Sequence, residues 1–319
     1  MRRPDCLEEH RDDADRAGLR ASHANTGDLG ANAAQLEYWN TVAGPRWVGL
    51  AGLVEKRVEK VNDLLLARSA VRSGEKVLEV GCGTGAATVP LAEAVGDAGE
   101  VVGIDISQPM LASARARISR RDHPNITLLQ GDAQVYPFTS NQFDLIASRF
   151  GVMFFADPTA AFRNLLGATR PGGRLCFACW AALEENRHWL IPYEVVLRHL
   201  GPPAPKPPHA PGPLAFSEPD YVRAVLQGAG YEGIEIRRET PDIIGANPAQ
   251  EAEHACIMGP SGRLIEEKKP PDSLRELIKR EMTEAFTPYA TGDEMVLPST
   301  VFLVTARRSA AEISSEIPR

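Results

Sequence analysis

The 319-residue sequence is poor in cysteine and aromatic residues and has no long apolar run. Its five cysteines, Cys6, Cys82, Cys176, Cys179 and Cys256, are too few and too scattered to staple a chain of this length, so reduced thiols are expected. Cys176-Phe-Ala-Cys179 has the spacing of a redox pair or half a zinc site. No second C-x-x-C and no H-x-x-x-H accompanies it, and it lies in an apolar run that reads as a strand, where residues three apart point to opposite faces. No metal site is expected. Nothing approaches the roughly 18 consecutive apolar residues of a membrane-spanning helix, and Met1-Arg2-Arg3-Pro4-Asp5 lacks the apolar core of a signal peptide. A cytoplasmic protein without membrane insertion is the expectation. Basic blocks are missing too: 35 Lys and Arg against 42 Asp and Glu give a net charge of -7, which argues against nucleic acid and for a small-molecule ligand. What is there, 43% hydrophobic and 24% charged, is ordinary globular usage, enough for one large domain or a domain with a lid.

Residues 1–28 hold 12 charged residues and few large apolar ones, so a frayed tail is expected. From Gln35 apolar residues recur at helical spacing through Leu64. Between Glu75 and Arg174 short β-rich runs (Lys76 to Val80, Glu100 to Asp105, Asn125 to Gln130, Phe143 to Ala147, Gly173 to Cys179) alternate with helical patterns (Ala86 to Val95, Pro109 to Ser119, Pro158 to Thr169). That alternation implies parallel β-α-β units with helices on both faces of a sheet. Gly172-Gly173 reads as a turn. Pro202 to Pro213 carries seven prolines in twelve residues and is extended connector. Ser217 is placed to cap a helix ending at Gly230, Tyr231 to Glu239 and Thr300 to Ala306 read as strands, and 245–298 reads as mostly helical, broken at Gly259-Pro260 and Pro270-Pro271.

The sharpest local feature is Val77-Leu-Glu-Val-Gly-Cys-Gly-Thr-Gly85, an apolar strand opening into glycines at 81, 83 and 85. Such a turn lets a ligand approach the backbone, and free amides at the following helix start would favour a carboxylate or phosphate. Gly81-x-Gly83-x-x-Ala86 also satisfies the dinucleotide fingerprint, and Asp105, at the end of the second strand, suits ribose hydroxyls in either case. The spacing alone leaves an NAD(P)-dependent oxidoreductase open.

The rest of the chain resembles the class I S-adenosylmethionine-dependent methyltransferases, over roughly residues 35–307. Beyond the glycine loop the resemblance is carried by Gly131-Asp132-Ala133, by Phe143-Asp-Leu-Ile-Ala-Ser148-Arg149, by Leu166-Gly-Ala-Thr-Arg-Pro-Gly-Gly173 and by Ala229-Gly230-Tyr231 with two late strands. Ser148-Arg-Phe-Gly-Val-Met-Phe-Phe-Ala-Asp-Pro158, the entry from Tyr38-Trp39-Asn40 to Gly44-Pro45-Arg46-Trp47, and Val296 to Arg307 read as one final strand make it similar to the ubiquinone and menaquinone C-methyltransferase branch. A proline typical of that branch, before the tryptophan that follows Glu185-Asn186, gives way here to Arg187-His188.

The resemblance implies a doubly wound, Rossmann-like α/β fold with a seven-stranded sheet, its last two strands an antiparallel edge, and helical lid insertions. The expected division is a flexible tail (1–28), N-terminal helices and lid (29–74), a cofactor-binding α/β core (75–180), a proline-rich lid insertion (181–217), a helix and strand of the core (218–244), a helical lid (245–298), the last core strand (299–308) and a C-terminal tail (309–319). It implies S-adenosyl-L-methionine as cofactor, with Gly81, Cys82, Gly83 and Gly85 around its methionine part and Glu79 and Ser148 close by. Asp105 would hold the ribose, Asp132 and the Ala133 amide the adenine, and Ile106 the adenine face. A sulfonium cation without phosphates suits Glu79, Asp105 and Asp132.

The expected activity is in-line methyl transfer to carbon or oxygen of a small molecule, aromatic, quinone-like or another secondary metabolite, by a monomer or homodimer. A non-catalytic S-adenosylmethionine-binding module is a further alternative. Such transfer depends chiefly on positioning and exclusion of water, so catalytic side chains are hard to read. The candidates are Arg149, to hold an anionic acceptor, and His188, in a loop after the fifth strand, to take its proton. His199, His254 and Tyr289 are weaker ones. Tyr38, Trp39, Trp47, Phe150, Met153, Phe154 and Phe155 are candidates for an apolar pocket wall, against core packing.

Overall fold

The computed structural model describes residues 32–119 and 123–310. The expected tail over 1–28, with Cys6, and most of the C-terminal tail lie outside the described residues. Four N-terminal helices, α1 (Ala33–Thr41), α2 (Ala43–Gly49), α3 (Ala51–Arg57) and α4 (Glu59–Ser69), lead to β1 (Lys76–Val80). The β-α alternation follows: α5 (Thr88–Val95), β2 (Glu100–Asp105), α6 (Gln108–Ser119), β3 (Ile126–Gln130), β4 (Phe143–Arg149), α7 (Pro158–Ala168) and β5 (Thr169–Trp180). After these come α8 (Arg187–Leu200), α9 (Pro219–Ala229), β6 (Glu232–Glu239) and β7 (Asp242–Gly245). Then follow α10 (Pro248–Ala255), α11 (Gly259–Lys268), α12 (Asp272–Phe286), β8 (Ala290–Thr291), β9 (Glu294–Pro298) and β10 (Val301–Arg307).

Seven strands form one sheet in the order β3-β2-β1-β4-β5-β10-β6. The first five are mutually parallel, and β10 runs antiparallel to both β5 and β6. The central strands are apolar runs because both their faces are covered. Leu78, Ile104, Ile146 and Phe177 join the core on one face, and Val77, Val101, Leu145 and Cys176 the core on the other. Cys176 and Cys179 fall in different cores, so the C-x-x-C pair is split across the sheet and burial pushes both thiols up. The chain leaves β1 toward β2 on one side and returns to β4 on the other, so the carboxyl ends of β1 and β4 border the crevice where doubly wound folds hold ligands.

Several local expectations are corrected. Gly172-Gly173 is a step within β5: Gly172 has φ +75°, and the β4–β5 register shifts between Phe143 and Leu145. The helix after the proline-rich connector starts at Pro219 with Glu218 at its cap position, not Ser217, while Gly230 ends it at φ +99° as expected. The stretch read as helical lid holds α10–α12 but also β8 and β9, which with β7 at its leading edge form a second, three-stranded sheet of order β7-β9-β8; strands of two to five residues are too short to show a period. Val296 to Arg307 is accordingly not one strand. It breaks at Ser299-Thr300, where Ser299 Oγ donates to the Pro241 carbonyl (2.6 Å), so β9 pairs with β7 and β10 enters the main sheet. The lid helices and β9 share a hydrophobic core of their own, built on Val196, Ile278, Met282 and Phe286. Among the described residues no helix is long and apolar enough to cross a membrane.

Candidate active site

The glycine loop closes the end of β1. Gly81 has φ +71°, and a Cβ there would lie 2.6 Å from the Gly151 Cα; Gly151 follows β4 and was not picked out from the sequence. The two strand ends thus approach backbone to backbone. Gly83 has φ +55° and a Cβ would meet the Met110 methyl at 2.9 Å. Gly85 packs toward Ala114 of α6 and does not line the cleft.

The loop amides are not free. Gly81 and Cys82 N–H both donate to the Ile104 carbonyl (2.8 and 3.2 Å), Gly83 N–H to Asp105 Oδ2 (2.8 Å) and Gly85 N–H to the Cys82 carbonyl (2.9 Å). These four amides are therefore spent within the loop. A loop whose donors are spent internally shapes a cradle but offers little to a pyrophosphate, which weakens the dinucleotide reading.

Above the loop lies a cavity of about 670 Å³, within the range of roughly 300–1,000 Å³ usual for small-molecule sites. The structure brings Glu79, Gly81, Cys82, Gly83, Asp105, Ile106, Asp132, Ala133, Arg149 and His188 into its lining. Ser148 is not among them: it is fully buried, donates to the Val80 carbonyl (2.7 Å) and accepts from Gly151 N–H (3.1 Å), tying β4 to the end of β1. All seven apolar candidates, Tyr38 to Phe155, line the cavity, although Met153 and Phe155 also belong to the core.

Asp105 is half-buried, with Ser107 N–H on its second oxygen (2.8 Å). Burial pushes its pKa up, against the pull of those backbone amides. Each oxygen keeps a lone pair for a hydroxyl. Asp132 accepts from Gln134 N–H (2.9 Å) and from Asn32 Nδ2 (2.6 Å), and Asn32 also receives Ala156 N–H (2.9 Å). The segment ahead of α1 is thereby tied to the edge of the cavity. Glu79, 2% exposed, accepts from Thr88 Oγ1 (2.5 Å); burial raises its pKa to about 7, the Thr88 bond and Arg149 opposing. Arg149 is half-buried and has no hydrogen bond or ion pair among the described residues, although Glu79 and Glu55 lie near enough to favour its charge.

His188 is not in a loop. It occupies the first turn of α8, is 7% exposed, and packs its ring 5.1 Å from Trp180 and 4.8 Å from Trp189. Burial, with Arg57 nearby, lowers its pKa to about 3, so the expected proton-accepting role is disfavoured by its surroundings. His254 reaches the cavity from α10, 3.5 Å from Glu251; His199 pairs with Glu281 (3.0 Å) and Tyr289 accepts from Arg187 (2.8 Å), both away from the cavity. Sequence reasoning missed Asn32, Arg57, Trp180, Trp189 and Glu251. Arg57 and Glu251 form a buried pair (2.5 Å) between α3 and α10, 194 residues apart, for which no local pattern exists.

A methyltransferase-domain family model matches residues 77–173. The chain is 29% identical to nocamycin O-methyltransferase of Saccharothrix syringae over 244 residues, 74% of this chain and 86% of that one. It is 36% identical to 2-phytyl-1,4-naphtoquinone methyltransferase of Thermosynechococcus vestitus over 169 residues, 50% and 74% of the two chains. With the demethylmenaquinone methyltransferase of Geobacillus sp. (strain WCH70) it shares 36% identity over 126 residues, 40% of this chain and 52% of that one. The solved YcgJ protein of Bacillus subtilis superposes with a TM-score of 0.51 at 16% identity, covering 79% of this chain and all of that one, a likeness of fold. The apolar strand, the glycine cradle and the ring of carboxylates thus belong to a class I S-adenosylmethionine-dependent methyltransferase of small molecules, in the quinone-methyltransferase-like branch of that family.

Proposed function

We propose that the chain methylates oxygen or carbon of a planar aromatic or quinone-like small molecule, with the cofactor lying over β1 and β2 and the acceptor under the lid. The observation that carries this reading is one continuous cavity, carboxylate-lined at the glycine loop and walled beyond it by Trp39, Phe150, Phe154 and Trp180. Two of the relatives named above are quinone methyltransferases by name and the third an O-methyltransferase, which supports a quinone-like acceptor and transfer to oxygen or carbon here.

In this reading Gly81, Cys82 and Gly83 receive the methionine part, Asp105 accepts from the ribose hydroxyls, Asp132 and the Ala133 amide meet the adenine edge, and Ile106 its face. Gly85 and Ser148 hold the loop in shape from behind. When bound, the cofactor supplies an activated methyl group on a sulfonium. Glu79, Asp105 and Asp132 complement that positive charge in a site with little water, where charge is weakly screened. Arg149 is the counter-ion for an anionic acceptor, and the lid excludes water and holds the acceptor atom in line, at about 3 Å for a reactive approach. A cytoplasmic setting belongs to the same reading, supported by the free buried thiols of Cys82, Cys176, Cys179 and Cys256.

Thermal unfolding with S-adenosylhomocysteine tests the cofactor site. At a hundredfold excess over its dissociation constant a ligand stabilises by about 2.7 kcal/mol, roughly 4 °C in Tm for a chain this long. The wild type should show that shift, Asp105→Ala should lose it while unfolding as cooperatively, and methyl label from the cofactor should appear in a small aromatic product. A shift with NAD instead would overturn the reading.

A further inference from the structure

His188, in the first turn of α8, forms part of the cavity wall. Its Nδ1 is sealed from solvent and has no hydrogen-bond partner. A sealed N–H without an acceptor is rarer, and costlier, than a sealed lone pair. The proton therefore belongs on Nε2, the nitrogen on the cavity side, and His188 presents a donor. Its low pKa agrees, since the ring stays neutral throughout the working pH range.

Three further observations bear on what that donor meets. Arg149, at the mouth of β4, has no carboxylate within ion-pair distance among the described residues, whereas Arg57 is already held by Glu251. Phe150 adopts φ +68°, a left-handed conformation costly for a bulky residue, and its ring stacks on Trp180 at 4.4 Å and 4°. Trp180 in turn packs against His188 and Trp189. A cation and a neutral donor thus line one cavity, with the flat apolar wall of Phe150 and Trp180 between them.

We infer that this part of the cavity is the acceptor subsite and that it takes a planar conjugated acceptor as its oxyanion, a phenolate or enolate, whose oxygen accepts from His188 Nε2–H and whose charge is met by Arg149. His188 then positions and selects the acceptor and removes no proton. An acceptor that arrives as its anion needs no base in the site.

The inference rests on the cofactor reading above, and the test separates the two. Calorimetry first measures S-adenosylhomocysteine binding to the wild type, His188→Phe, His188→Gln and Arg149→Met. Lack of binding to the wild type overturns the cofactor reading whatever follows. With S-adenosylhomocysteine bound, 4-nitrophenol and its isostere 4-nitroaniline, which cannot become an anion, are titrated near neutral pH while absorbance reports the nitrophenolate. The wild type should bind nitrophenolate at least tenfold more tightly than nitroaniline and raise the ionised fraction. A hydrogen bond to a charged group is worth about ten- to a hundredfold in affinity, so His188→Phe should lose about that much, with His188→Gln, which keeps a donor, recovering most of it. Arg149→Met should erase the preference for the anion. A spectrum of protein labelled with ¹⁵N-histidine should show Nδ1 of His188 without a proton. Equal binding of the two probes, no binding of nitrophenol, unchanged affinity in His188→Phe or a proton on Nδ1 would each overturn the acceptor assignment while leaving the cofactor site standing.

Discussion

Glu79 is the residue whose surroundings conflict most with its charge. It lies on a central strand, 2% exposed, with one hydroxyl as its hydrogen-bond partner, and its pKa rises from 4.5 to about 7. The folded protein therefore holds this proton more tightly than the unfolded chain. Stability should fall as pH rises from about 4.5 to about 7 and level off above that. The shift corresponds to about 3 kcal/mol. Glu79→Gln should therefore be more stable than the wild type by roughly 2–3 kcal/mol at pH 8 and nearly equal to it at pH 4.5, as urea titrations at the two pH values would show. His188 has the opposite sign: its depressed pKa makes stability rise with pH from about 3 to 6.5. The cofactor's positive charge should drive the Glu79 proton off, so binding near pH 6.5 should release a proton in wild type and none in Glu79→Gln. Calorimetry in two buffers of different ionisation enthalpy measures that difference.

Among the elements, α8 carries His188 and Trp189 into the cavity wall. Pro192 within it has no N–H to give the His188 carbonyl, so the first turn of the helix is one ladder bond short. Asn186, fully buried, holds it instead. Its carbonyl accepts from Trp189 and Leu190 N–H (both 2.9 Å), while its side chain donates to the Ala181 and Ala182 carbonyls and accepts from Thr300 N–H (3.1 Å). One residue thereby fastens α8 to the ends of both β5 and β10. Asn186→Leu, close in volume, would strand the Ala181 carbonyl and the Thr300 N–H, while the Ala182 carbonyl keeps Glu185 N–H; at about 1–3 kcal/mol for each unsatisfied group the expected loss is about 2–6 kcal/mol. The measurement is equilibrium unfolding. Hydrogen exchange should in addition speed up first in residues 186–191, ahead of the sheet.

At the scale of the whole molecule, two hydrophobic cores meet across the cavity, one around the large sheet and one in the lid. The Arg57–Glu251 pair ties the N-terminal helices to the lid at side-chain exposures of 12% and 7%. A buried pair adds little over apolar packing, but removing one partner leaves an uncompensated charge. Glu251→Ala should destabilise by about 3–5 kcal/mol, and Arg57→Met with Glu251→Leu together should recover most of that loss in the same denaturation assay. If the single and double variants were equally unstable, the pair would not be the tie.

The parallel core was legible because its signals are local. Apolar runs bounded by turns set β1, β2 and β4, and the glycines and acids at their ends are adjacent to those strands in sequence, so Glu79, Gly81, Gly83, Asp105 and Asp132 could be named before any fold was known. The composition likewise pointed toward a small ligand. Tertiary structure alone decided the far wall of the cavity. His188 reads as an ordinary loop histidine until α8 buries it against Trp180; Arg57 and Glu251 are unrelated charges until the lid closes; and the short strands of the second sheet have no period to detect. Chain pattern records what a residue does with its neighbours in sequence. Desolvation and pairing depend on neighbours in space, and in this protein those neighbours set which nitrogen of His188 faces the cavity and how strongly Glu79 holds its proton.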